Sequence, residues 1–260
     1  MLRKLFSKSP AAPAQDRIDA AIPDGQRVYA IGDIHGRVDL LDLLLRQIDA
    51  DNAARPPSET TLIFLGDLID RGPDSAQVVE RLIGVKANHP RTRFLLGNHE
   101  EVFLQAVRDG SVGALRYFLR IGGDTTVMSY GLTEAEYRKT SIDELSEIFQ
   151  RRVPAAHVDF IESFEDMIVL GDYVFVHAGV HPEAPLAQQK ISDLRWIRND
   201  FLNFRGRLEK IVVHGHTISE EVEVRLHRIG LDTGAYSSGL LTAMGFEGDQ
   251  RWLLQTGTPA

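Results

Sequence analysis

Val28-Tyr29-Ala30-Ile31-Gly32-Asp33-Ile34-His35-Gly36 is an apolar run of strand length that breaks into glycine, aspartate and histidine. Four further runs end the same way. Leu62–Leu65 leads into Gly66-Asp67-Leu68-Ile69-Asp70-Arg71-Gly72, and Phe94–Leu96 into Gly97-Asn98-His99-Glu100. Val174–Val176 leads into His177-Ala178-Gly179, and Ile211–Val213 into His214-Gly215-His216-Thr217. Ligands of open α/β sheets bind beyond the carboxyl ends of the strands. Strand ends bearing Asp, Asn or His therefore predict one shared polar site.

The segments between these strands carry helical periodicity. Leu41, Leu44, Leu45 and Ile48 share one face after the first strand. Val78, Leu82 and Val85 share one after the second, with Asp74 or Ser75 as N-cap, and Val102, Phe103, Ala106 and Val107 mark a third helix. The alternation predicts an α/β fold. Residues 111–164 read as a mostly helical insertion, broken at Gly122-Gly123 and Tyr130-Gly131. Beyond Ile211 the chain reads as strand-rich, with Val222–Leu226, Leu240–Met244 and Trp252–Leu254. One catalytic domain is expected over 26–255, after a flexible N-terminal tail over 1–25.

Composition narrows the chemistry. The 260 residues suffice for one large domain, with 43% hydrophobic and 25% charged residues. A net charge of −8 argues against nucleic acid as partner, since such proteins present a basic face. No apolar run approaches the ~20 residues of a membrane span. Cysteine is absent, which removes disulfides, thiolate ligands and cysteine nucleophiles, and fits a reducing, cytoplasmic setting. Any metal must then be held by oxygen and nitrogen donors, a set that suits manganese, iron(II) or zinc. Two such ions about 3.5–4 Å apart could share a carboxylate and a bridging hydroxide for in-line attack on phosphorus. In Asp33-x-His35 an extended backbone would put both side chains on one face.

Taken singly, these residues have ordinary readings: Gly-Asp as a turn, a histidine after a strand as core, Asp70-Arg71 as a salt bridge. His214 reads as structural, and His89, His157, His181 and His227 as surface or structural. Their joint order is specific. Gly-Asp-x-His-Gly, Gly-Asp-x-x-Asp-Arg-Gly, Gly-Asn-His-Glu, His-Ala-Gly and Gly-His-Thr together resemble the calcineurin-like metallophosphoesterases, most closely the bacterial and phage serine/threonine phosphoprotein phosphatases. Residues 28–218 carry the resemblance, and Asp232-Thr233-Gly234-Ala235 extends it.

The resemblance implies a central β-sandwich of mixed sheets flanked by helices, with a helical cap. It implies two divalent metal ions, manganese first, with iron and zinc as alternatives. Asp33 and His35 would bind the first, Asp67 would bridge, and Asn98, His177 and His216 would bind the second. His99 would be the general acid, oriented by Asp70. Arg71 and Arg198 would hold the substrate phosphate, with Arg195 close to the latter. The partner would be a phosphorylated protein or a small phosphoester; an oligomeric state is not specified.

Two other functions share most of these motifs: a bis(5′-nucleosyl)-tetraphosphate hydrolase and an inactive phospho-ligand-binding module. Asp70 and Glu100 favour the protein phosphatase over the symmetrical tetraphosphatases, which typically differ at both positions. Leu96 departs from the Arg of eukaryotic protein phosphatases, which removes their substrate groove from the expectation. The insertion is expected to set substrate choice through Tyr117, Arg120, Asp124 and Tyr130. Its removal is expected to spare hydrolysis of a small aryl phosphate.

Overall fold

In the computed structural model, which describes residues 20–108 and 110–257, two five-stranded mixed sheets pack face to face. The first contains β1 (Gln26–Ile31), β2 (Glu59–Phe64), β3 (Arg93–Phe94), β9 (Thr242–Glu247) and β10 (Gln250–Gln255), in the order β10-β9-β1-β2-β3. The second contains β4 (Met167–Leu170), β5 (Tyr173–Val176), β6 (Ile211–His214), β7 (Glu223–Val224) and β8 (Arg228–Gly230), in the order β4-β5-β6-β8-β7. β1, β2 and β3 are parallel, as are β5, β6 and β8; the remaining pairs are antiparallel.

The period-2 alternation of strand side chains explains why β1 reads as a continuous apolar run. Val28 and Ala30 face the second sheet, joining Ile63, Leu65, Phe175, Val213, Ile229 and Phe246 in the layer between the sheets. Tyr29 and Ile31 face the other way, with Phe64 against the helices. Those helices are α1 (Val38–Ala53), α2 (Ser75–Asn88) and α3 (Asn98–Arg108). α1 presents Leu41, Leu44, Leu45 and Ile48 to this core, and α2 presents Val78, Leu82 and Val85. Each fully buried Leu, Ile or Val contributes about 1.5–3 kcal/mol. A third cluster, Val174, Val176, Val212, Leu194 and Phe201, covers the outer face of the second sheet.

The insertion comprises α4 (Val112–Phe118), a wider turn over Leu119–Gly123, α5 (Asp124–Ser129), α6 (Glu134–Tyr137), α7 (Ile142–Arg152) and α8 (Ala155–Glu162). α6 and α7 begin in capping boxes, Thr133 with Glu136 and Ser141 with Glu144. Phe118, Val127, Tyr130 and Phe149 are buried in the same core as α1–α3, so the insertion is continuous with the helical layer. A 3-10 turn (Leu186–Gln188) and the short helices α9 (Ile191–Trp196), α10 (Asn199–Leu202) and α11 (Ala235–Ser238) follow among the described residues.

Two expectations change. Of the flexible tail expected over 1–25, residues 1–19 lie outside the described residues, whereas Ala20 and Ile22 are buried between the sheets. The Ile22 N–H donates to the Gly248 carbonyl and the Ala21 N–H to Asp172 Oδ2. Tyr130, expected beside the site, is buried, and its hydroxyl meets His157 Nδ1 at 2.9 Å. Asp74 is the N-cap of α2, as expected, without a side-chain capping bond. Among the described residues no helix is long and apolar enough to cross a membrane.

Candidate metal and phosphoester site

The expected residues converge at the carboxyl ends of strands from both sheets. Asp33, Asp67 and the Asn98–His99 pair follow β1, β2 and β3, while His177 and His216 follow β5 and β6. Among the described residues, only five other than glycine have left-handed backbone: His35 (φ 47°), Asp67 (49°), Asp70 (73°), Arg71 (68°) and His216 (64°). Such a conformation costs on the order of 1–3 kcal/mol per residue and persists where the surroundings over-determine it. All five belong to the expected site, and His35 corrects the extended backbone expected for Asp33-x-His35. The left-handed turn, rather than strand pleating, aims its ring.

Asp67 is the centre. Its Oδ1 accepts the His99 N–H at 3.1 Å and lies 3.4 Å from His177 Nε2. Its Oδ2 lies 3.7 Å from His35 Nε2 and 3.8 Å from His99 Nε2. Two buried triples result, His35–Asp67–His99 and Asp67–His177–His216, each with donor atoms close enough to share one cation. Asn98 Oδ1 sits 3.0 Å from His177 Nε2, and His216 Nδ1 sits 3.2 Å from the same nitrogen.

Backbone carbonyls fix which ring nitrogens face inward. A carbonyl can only accept, so His35 Nδ1–H donates to Ile69 at 2.7 Å and His177 Nδ1–H to Leu65 at 2.8 Å. Both Nε2 lone pairs are thereby turned into the cluster, an arrangement typical of metal-ligating imidazoles. Buried Asp33 accepts the His216 N–H on Oδ2, while its Oδ1 and His216 Nε2 find no protein partner. Orphaned donor atoms of this kind are costly in an interior without a cation to satisfy them. The donor set, carboxylate, carboxamide and imidazole, fits divalent metal ions. Asp33 does not join either close triple, and His99 stands nearer the Asp67–His35 pair than it does.

Electrostatics follow from burial and crowding. Burial lowers His35 to about 3 and His216 to about 2, keeping both neutral. Burial is the largest single influence on His99 and His177 and would lower both, but the Asp67 charge outweighs it together with Asp70 at His99 and with the Asp67 and Leu65 hydrogen bonds at His177, so both are raised. Burial would raise Asp67, yet the surrounding histidines hold it well below the usual range. Asp33 is raised by burial and by its neighbours Asp232 and Asp67.

The residues expected to form the acid pair and to bind phosphate adjoin this cluster. His99 Nδ1 meets Asp70 Oδ2 at 2.6 Å with both side chains buried. Arg71 spans the two imidazoles, Nη1 at 2.9 Å from His35 Nε2 and Nη2 at 3.0 Å from His99 Nε2. Arg198 is exposed, donating to Thr217 Oγ1 at 3.2 Å, and its charge helps lower His216. Arg195 is committed elsewhere, to Asp166 at 2.7 Å and Glu101 at 3.2 Å. His214 is buried behind the site, with Nδ1 2.9 Å from the Gly215 carbonyl and its ring edge-on to Phe201.

Several contributors lie outside the expected set of site residues. Glu100 is fully buried and accepts four backbone N–H groups, from Asp67 and Gly97 on Oε2 and from Leu68 and Ile69 on Oε1. It braces the Asp67 turn, and burial with the Asp67 charge raises its carboxyl to about 7. Asp232 is buried near Asp33 and Asp67, with Oδ2 lacking a protein partner. The Tyr236 ring lies edge-on to His35 and 5.1 Å from the Arg71 guanidinium carbon. Thr126, from the insertion, donates to Asp70 Oδ1. Glu100 is visible within Gly-Asn-His-Glu and Asp232 within the 232–235 segment; Tyr236 and Thr126 carry no sequence signal.

Comparison with known proteins agrees with this geometry. A profile of the calcineurin-like phosphoesterases matches residues 26–237. Serine/threonine-protein phosphatase 2 of Escherichia coli is 29% identical over 225 residues, 84% of this chain and 91% of the relative. The asymmetrical bis(5′-nucleosyl)-tetraphosphatase PrpE of Anoxybacillus flavithermus is 24% identical over 238 residues, 82% of this chain and 88% of the relative. A protein serine/threonine phosphatase structure from Saccharomyces cerevisiae superimposes with a TM-score of 0.57 at 15% identity, covering 94% of this chain and 86% of that one. At that identity the likeness speaks for the fold alone. With its two mixed sheets, its strand-end histidines and carboxylates, and a match over most of its length, the chain belongs to the calcineurin-like phosphoesterase family.

Proposed function

We propose that this phosphoesterase removes phosphate from phosphoserine or phosphothreonine in proteins, with residues 26–255 as the catalytic domain. Asp33, His35, Asp67, Asn98, His177 and His216 would hold two divalent metal ions, manganese foremost. When bound, the ions supply Lewis-acid stabilisation of the phosphoryl charge and a nucleophile at neutral pH. The rest falls to the protein's own groups. Arg71, whose planar fork suits a phosphate, turns from the imidazoles to the phosphate oxygens. That movement frees His99 Nε2 to carry a proton toward the leaving alkoxide. Asp70 fixes the other side of the ring and stabilises the imidazolium. Arg198, exposed on the rim where it donates to Thr217, holds a second phosphate oxygen.

The His99–Asp70 contact at 2.6 Å, placed between Arg71 and Asp67, carries this reading. An acid of this kind matters most for a poor leaving group such as a serine or threonine alkoxide. The relation to the E. coli serine/threonine-protein phosphatase over 84% of the chain supports the same substrate class. A dinucleotide tetraphosphate is the second reading, favoured by the PrpE relative over 82% of the chain. The manganese-loaded protein is offered a phosphothreonine peptide beside diadenosine tetraphosphate at equal concentration. Faster turnover of the peptide is expected. Preference for the dinucleotide would move the assignment to nucleotide hydrolysis. Turnover of neither, with two metals bound, would leave a phospho-ligand-binding module.

A further inference from the structure

The geometry points to Thr126 as a positioning residue for the His99–Asp70 pair, which makes the helical insertion part of the catalytic scaffold. This inference rests on His99 acting as proton donor, as proposed above.

Residues 70 and 71 are consecutive left-handed residues with side chains, a conformation a turn does not hold unaided. Much of what holds it comes from the insertion. The Asp70 N–H is shared between Thr126 Oγ1 and Ser75 Oγ, each at 3.0 Å. The Arg71 N–H donates to the Gly122 carbonyl at 3.0 Å. Gly122 itself has φ 110°, and a Cβ there would stand 2.9 Å from Arg71 Cγ, so the approach requires glycine.

The carboxylate is held as its backbone is. Oδ1 accepts the Thr126 hydroxyl at 2.6 Å and Oδ2 faces His99 Nδ1 at 2.6 Å. Thr126 and Asp70 are both fully buried, so no solvent replaces that hydroxyl. Without it, Asp70 Oδ1 is a buried acceptor with no partner, and the carboxylate can rotate away from His99 or take up a proton. Either response loosens the imidazole. The anchoring of α5 does not need the hydroxyl, because buried Val127 and the Tyr130–His157 bond remain. Trimming the insertion would therefore damage the acid pair and the Arg71 turn, contrary to the expectation that it sets substrate choice alone.

The test compares wild type, Thr126→Val, Thr126→Ser and His99→Asn, all metal-loaded, on p-nitrophenyl phosphate and on an alkyl phosphate. Thr126→Val should lose on the order of tenfold in kcat on the alkyl ester, a fraction of what a general acid contributes, with little loss on the aryl ester. Thr126→Ser should restore both. In the metal-free protein, the downfield proton of the His99 Nδ1–H bond should shift upfield in Thr126→Val and return in Thr126→Ser. Should the valine variant not fold, Thr126→Ala carries the same expectations. Equal loss on both esters, or a serine variant as impaired as valine, would overturn the inference. A leaving-group effect in His99→Asn without one in the Thr126 variants would overturn it while sparing the general acid; no such effect in His99→Asn would overturn both.

Discussion

His214→Gln offers a test of how the interior behind the site treats charge. His214 is 1% exposed, and burial, aided by the Arg228 charge, lowers its pKa to about 4 against an ordinary 6.5. A base with a depressed folded-state pKa binds fewer protons folded than unfolded. Stability from its neutral form is therefore present above pH 6.5 and is lost as pH falls toward 4. Each unit of pH in that window is worth about 1.4 kcal/mol per proton. Between pH 7 and pH 5 wild type should lose about 2 kcal/mol through His214 alone. Gln does not titrate, and every other titrating group is shared, so the difference between the two proteins isolates this one. Gln should be the less stable at pH 7, where it loses the imidazole packing on Phe201, and should close the gap by about 2 kcal/mol at pH 5. Urea unfolding of the metal-free proteins at both pH values measures it. A gap unchanged to within about 0.5 kcal/mol would refute the claim that His214 is held neutral by its surroundings.

Three further outcomes are expected. Glu100→Gln can satisfy only one pair of the four N–H groups now bonded to the carboxylate, and should cost about 2–4 kcal/mol in urea unfolding at pH 8; a cost under about 0.5 kcal/mol would show that the Asp67 turn does not depend on it. Arg71→Gly should be about 1 kcal/mol more stable than Arg71→Ala, because only glycine relieves the left-handed backbone, while both raise KM; equal stabilities would mean the turn carries no strain. Arg198→Ala should raise KM and leave the melting temperature alone, whereas Arg195→Ala should cost about 1 kcal/mol of stability through Asp166 and Glu101 with little change in KM. The reverse pattern would exchange the roles of these arginines.

Much of this architecture is legible in the sequence because both faces of each sheet are covered. β1, β2, β5 and β6 stand out as apolar runs for that reason, and their endings in Gly-Asp or His announce the site. β4 and β8 are less visible. Met167–Leu170 lies at the edge of its sheet with Val169 exposed, and Arg228–Gly230 begins with a buried arginine paired to Glu223 at 2.5 Å. Neither looks like a core strand out of context. The left-handed backbone at His35 and Asp67 is likewise hidden, since side-chain identity there is set by the cluster and not by local propensity. Thr126 is the clearest case: its role arises from packing 56 residues away from Asp70, and a threonine in a short helix carries no mark of that.

The distribution of the cluster over two sheets has a consequence for assembly. Asp33, Asp67 and Asn98 hang from one sheet, His177 and His216 from the other, and the chain returns to the first sheet through β9 and β10. Neither half of the polypeptide holds a complete donor set. On the proposed metal binding, a chain cut between α8 and β4 would give two incomplete chelators, and a divalent ion would favour their reunion by the difference in its affinity for the whole and the parts. In such a split protein, metal concentration would act as a dial on fragment association.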